Sequence, residues 1–159
     1  MKIAYFDCFS GASGDMILGS LIDAGFNREK LTEELKKLGI SNYELDSKKV
    51  LRSQITGTKF DVLIKEDKID NEHNRKRTLK IISGIINEST LGEGVKRDSI
   101  KIFENLAKAE AKIHNTSPEE VHFHEVGAVD SIIDIVGSVI AIYDLKIEKI
   151  YFSPIRTGT

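Results

Sequence analysis

The chain has 159 residues, 40% of them apolar, and sets 23 Lys and Arg against 25 Asp and Glu for a formal net charge of −2. That length supports one domain with a real core, and the even mixture of charges excludes the basic stripe of a nucleic-acid binder. Asp7 interrupts the apolar run that a signal peptide needs, the apolar stretch 135–143 is too short to cross a bilayer, and the lone Cys8 has no internal disulfide partner, so a cytoplasmic protein without membrane contact is expected.

Residues 2–8 read as a buried strand, because Ile3, Ala4, Tyr5 and Phe6 form a continuous apolar run. A glycine-rich turn follows, Cys8-Phe9-Ser10-Gly11-Ala12-Ser13-Gly14-Asp15. A helix over 14–25 comes next, with Met16, Ile17, Leu21 and Ile22 at helical spacing and Gly25 as its stop. Strand, glycine turn and helix together offer backbone amides and a positive dipole end to an anion. No Lys follows Gly14, so this is not a nucleotide-hydrolase P-loop. Asp7 and Asp15 flank the turn and would repel a bare phosphate, which leaves a metal-bridged phosphate or a metal alone. The competing reading is a tight turn that needs Gly11 and Gly14 for backbone reasons, with Ser13 as helix cap.

Further along, helices are expected over 28–37, 77–88 and 95–114, and strands over 43–52 and 55–66. The charged segment 65–77 reads as a surface loop, and 149–154 as a short last strand. The whole chain is expected to be a single mixed-sheet α/β domain, with the first strand central and helices packed on the sheet. Ligands then fall at the C-terminal end of that strand.

The densest chemistry lies between Val121 and Asp134. If His122-Phe123-His124 is extended, the two imidazoles share one face and Phe123 enters the core, a geometry that suits a divalent metal. A proline turn at Ser117-Pro118-Glu119-Glu120 leaves open the alternative that the imidazoles ride on a helical turn and diverge. A helix over 129–144 follows, apolar almost all round, with Asp130 and Asp134 one turn apart on its narrow polar stripe. These acids are either ordinary first-turn and surface positions or groups aimed at a partner, since a buried carboxylate needs one. Asp7, His122, His124 and Asp130 are expected to converge on one cleft.

Three stretches carry a family resemblance: Tyr-Phe-Asp-Cys-Phe-Ser-Gly-Ala-Ser-Gly-Asp-Met at the start, His-Phe-His-Glu-Val-Gly-Ala-Val-Asp-Ser-Ile-Ile-Asp-Ile-Val-Gly downstream, and Ser-Pro-Ile-Arg-Thr-Gly-Thr at the close. Over the whole chain the sequence resembles the nickel-insertion proteins LarC. The resemblance implies a cyclometallase of the lyase class, which places nickel into pyridinium-3,5-bisthiocarboxylic acid mononucleotide in a CTP-dependent reaction assisted by magnesium or manganese. It also implies a further C-terminal domain that binds CTP, and lactate racemase maturation proteins as partners; a homo-oligomer is left open. The family's histidine-rich tract is reduced here to His73. Carried onto this chain, the resemblance makes His122, His124, Asp130 and Asp134 candidate nickel ligands, with Cys8 as a transient thiolate or a packing residue. Ser10, Gly11, Ser13, Gly14 and Asp15 become candidates for the phosphate and its cation. Forming a metal–carbon bond also requires loss of a ring proton, for which Glu125 or a free imidazole is a candidate base, with Asp7 beside the site. The alternatives are a non-catalytic nickel or nucleotide carrier, and a magnesium-dependent phosphohydrolase or nucleotidyl transferase built on Asp7 and the glycine turn.

Overall fold

The computed structural model describes residues 1–9, 11–52, 54–65, 77–123 and 128–155. In chain order its elements are β1 (Ile3–Phe6), α1 (Gly14–Asp23), α2 (Arg28–Lys36), β2 (Tyr43–Arg52), β3 (Ile55–Ile64), β4 (Arg77–Thr78), α3 (Leu79–Glu88), α4 (Glu93–His114), β5 (His122–Phe123), α5 (Val129–Asp144) and β6 (Lys149–Phe152).

Local chemistry sets most of these boundaries. The Asn27 side chain accepts a hydrogen bond from the Lys30 amide at 2.8 Å and so opens α2. Thr78 does the same for α3, accepting from the Ile81 amide. After α1 the chain turns through Gly25 at φ +105°, a backbone state in which a side chain would be strained. The β2–β3 hairpin closes between Arg52 and Ile55, with Gln54 at φ 65°.

Packing is organised around α5. Val129, Ile132, Ile133, Val136, Gly137, Val139, Ile140 and Ala141 are all buried along it, and it touches α1, α2, α4 and β3. At roughly 1.5–3 kcal/mol for each large aliphatic side chain removed from water, this one helix supplies a large share of the core. Two glycines let neighbours come close. A Cβ at Gly137 would sit 3.1 Å from Leu18 and 3.3 Å from Leu31, so α1 and α2 lie on the α5 backbone. A Cβ at Gly19 would sit 2.5 Å from the Thr58 carbonyl oxygen, so α1 rides directly on β3. Asp23, at the end of α1, accepts hydrogen bonds from the Thr58 amide and hydroxyl at 3.0 and 2.7 Å and from Lys49. The other side of α5 meets α4, on which Phe103, Ala107 and Ala111 are buried; the Phe103 ring meets Phe123 edge-on at 6.3 Å.

The class is the mixed α/β arrangement expected, with helices packed over strands, but the first strand does not stand at its centre. Among the described residues the strands form three separate pairs: β1–β6 parallel, β2–β3 antiparallel and β4–β5 antiparallel. The expected burial of β1 is also corrected. Ile3 and Tyr5 are exposed, on a sheet that among the described residues is two strands wide. Smaller corrections concern Arg77, which pairs with Phe123 instead of opening a helix or ending a loop, and Lys65, whose amide bonds the Asn42 carbonyl at 2.9 Å. The rest of the expected charged loop, His73 included, lies outside the described residues.

Candidate metal and phosphate site

The two sequence motifs meet where the start of α1 lies against the first turns of α5. Asp134 is the point of contact. A Cβ added at Gly14 would fall 2.6 Å from the Asp134 Cβ and 2.7 Å from its Oδ2, so Gly14 serves here as room for a carboxylate. Among the described residues the buried Asp134 Oδ1 has no hydrogen-bond partner. Burial first, and then the charges of Asp15 and Asp130, push the Asp134 carboxyl up to about 7. A carboxyl with that affinity takes and releases a proton near neutral pH, and an arriving cation would displace the proton.

Asp130, on the same helix, and Asp15, on α1, act on Asp134 through their charges. Asp130 lies exposed in the first turn of α5 and accepts from the Ser131 amide at 2.7 Å. Asp15 lies in the first turn of α1, where its Oδ1 takes the Ser13 hydroxyl hydrogen bond. That bond changes the role of Ser13. It stands at the helix-capping position with extended backbone, yet its side chain caps no backbone amide. The first-turn amides of α1 are therefore left without a side-chain acceptor from Ser13, which is the arrangement an anion at a helix N-terminus uses. Gly11 shapes the approach to the helix, at φ +90° with its amide on the Cys8 carbonyl at 3.0 Å.

The remaining candidates are distributed around this junction or away from it. Asp7 is exposed just beyond β1. Cys8 is 4% exposed; its amide donates to Ser153 Oγ at 2.7 Å and its thiol to the Phe6 carbonyl at 3.7 Å. Such a thiol is held as a small packing group. His122 is exposed on β5 while Phe123 beside it is buried. This is the alternation of an extended chain, so the helical-turn alternative does not hold at these two residues. The proline segment instead forms a turn over 118–120, in which the Glu120 amide bonds the Ser117 carbonyl and the Thr116 hydroxyl bonds Glu120. Ser10, His124 and Glu125 lie outside the described residues. Among the described residues, no three His, Cys, Asp or Glu side chains are already drawn together to hold a metal.

Pattern reading singled out Asp134 and Gly14 separately and missed their contact. It also missed Ser153, which ties the end of β1 to the segment after β6. Nothing in helical or strand periodicity marks a pairing across so long a separation.

The family model described as nickel insertion protein matches residues 4–159. A pyridinium-3,5-bisthiocarboxylic acid mononucleotide nickel insertion protein from Acetivibrio thermocellus is 48% identical over 162 residues, covering 100% of this chain and 40% of its own length. Proteins of the same description from Desulfitobacterium hafniense and Geobacillus kaustophilus are 50% and 49% identical over 99% of this chain, which spans 38% and 39% of them. The chain thus spans about two fifths of the length of these relatives. No solved structure matches.

Proposed function

This chain belongs to the nickel insertion protein family, and we propose that it supplies the metal-handling part of nickel insertion into pyridinium-3,5-bisthiocarboxylic acid mononucleotide. The observation that carries the reading is the junction of Gly14 with Asp134, which brings the glycine turn and the acidic helix of the two motifs against one another. Nickel is the substrate in this reading. Its imidazole ligands are His122, exposed on β5, and His124, with Asp130 or Asp134 as the oxygen donor.

The donor set also fits a hard divalent cation. Asp15, Asp130 and Asp134 offer oxygen, and the buried Asp134 Oδ1 receives no hydrogen bond among the described residues. Magnesium or manganese held there would neutralise the mononucleotide phosphate. The chain's own part is to seat that phosphate at the uncapped start of α1, with Ser13 orienting Asp15 and Gly11 and Gly14 keeping the approach free of side chains. Nickel–carbon bond formation releases a ring proton, which Glu125 or a free imidazole accepts, and Asp7 at the mouth of β1 joins Asp15 in placing the magnesium or manganese ion. CTP is bound outside residues 1–159, and the complete reaction is of the lyase class, serving lactate racemase maturation.

Nickel stoichiometry by equilibrium dialysis tests the ligand assignment. The unmodified chain is expected to retain nickel that a His122→Ala/His124→Ala variant loses. Equal uptake by both would remove the imidazoles as the principal ligands.

A further inference from the structure

Beside β1 runs a groove of about 530 Å³ lined by every residue from Lys2 to Cys8. Successive side chains of a strand point to opposite faces, so a groove that touches all seven residues runs along the strand's edge. Its far wall is one side of α1, including Met16, Ile17, Ser20 and Ala24. Among the described residues β1 pairs only with β6, which leaves this edge with its backbone groups unmatched by another strand. The sheet is also unusually bare. Tyr5 is 65% exposed, and Tyr151 and Phe152 are each 50% exposed. Parallel sheets normally have both faces covered, and two parallel strands alone are a poor unit. The continuous apolar run Ile3-Ala4-Tyr5-Phe6 has the composition of an interior strand of a sheet covered on both faces, yet among the described residues it lies at an edge.

We propose that this slot receives an added β-strand from the part of the full-length polypeptide that the relatives carry and this chain does not span. The occupant is an extended segment with apolar residues on one face to meet Met16 and Ile17, pairing with the outward backbone groups of residues 3–7 over roughly 17 Å. β1 then becomes an interior strand, as its composition requires. The source is argued from length: three relatives align with this chain over only 38–40% of their own residues, so most of each polypeptide is available to close the sheet. This inference does not rest on the metal-handling reading, and neither result decides the other.

Amide hydrogen exchange read by mass spectrometry tests it on three samples: this chain alone, this chain joined to the remaining portion of the Acetivibrio thermocellus relative, and that whole relative. The natural relative keeps the test decisive should the joined chain fold poorly. Peptides over residues 2–8, and the aligned segment of the relative, are expected to exchange at least tenfold more slowly in the long forms. Met16→Lys, a change at an already exposed position, is expected to restore fast exchange in the joined chain. Equal exchange in the short and long forms would overturn the proposal. So would protection in the short chain that rises with concentration alongside a dimer in sedimentation, since a second copy would then be the occupant.

Discussion

Burial against Gly14 and the charges of Asp15 and Asp130 give Asp134 a carboxyl that holds its proton to about pH 7, well above the ordinary aspartate. Between about pH 4 and 7 the folded chain therefore keeps a proton that the unfolded chain releases. Stability from this residue is fully present below the ordinary aspartate pKa and is lost as pH rises to about 7. Asp23 and Asp98 act in the opposite sense. Hydrogen bonds, from Lys49 first and then Thr58 in one case and from Arg97 first and then Tyr143 in the other, hold their carboxyls below the usual range, so their support is lost as pH falls through the depressed pKa. Without added cations, Asp134→Asn is expected to remove the decline between pH 4 and 7. It should raise stability above pH 7 by about 1–2 kcal/mol, discounted from the full shift because the carboxyl partly meets water. Thermal melts from pH 4.5 to 8 check this, and parallel curves for the two proteins would contradict it. Gly14→Ala probes the same contact from the other helix. The new methyl group would fall 2.6 Å from the Asp134 Cβ, which no change of rotamer moves, so α1 and α5 must shift apart: manganese binding is expected to weaken at least tenfold and stability to fall by about 1–3 kcal/mol. Unchanged binding by calorimetry would separate Gly14 from the site.

The elements themselves were largely legible. The helix over 129–144 was readable from an apolar surface broken by one polar stripe, and Asp134 falls on that stripe next to α1. Strand periodicity placed Phe123 inward and His122 outward, as the structure has them. What periodicity does not carry is the number of neighbours a strand acquires, so β1 read as central and stands at an edge. Nor does it carry close approaches between distant elements. Gly19 and Gly137 look alike in sequence, each a mid-helix glycine worth about 1 kcal/mol of helix propensity if replaced by alanine. Their surroundings differ. At Gly19 the added Cβ meets a backbone carbonyl at 2.5 Å, which cannot yield without moving β3; at Gly137 it meets the flexible ends of Leu18 and Leu31. Gly19→Ala is expected to cost about 1–3 kcal/mol, whereas Gly137→Ala stays within about 1 kcal/mol of the unmodified chain. Urea titrations of the two variants side by side read this directly, and equal losses would show that the α1–β3 approach is not a tight one.

Across the whole molecule, α5 is the common wall: the hairpin side of the fold meets it through α1, α2 and β3, and the α3–α4 side meets it through α4. Asp134 stands near the N-terminal end of that wall, opposite the start of α1, so its setting depends on how these two helices are held together. A carboxylate held buried without a partner costs stability and is useful where a cation is to be received. Manganese titration calorimetry near pH 7, in two buffers of different ionisation enthalpy, tests that idea most directly. Binding to the unmodified chain is expected to release about half a proton from Asp134, whereas Asp134→Asn binds at least tenfold more weakly with no such release. Equal affinity and equal proton release in the two proteins would contradict it.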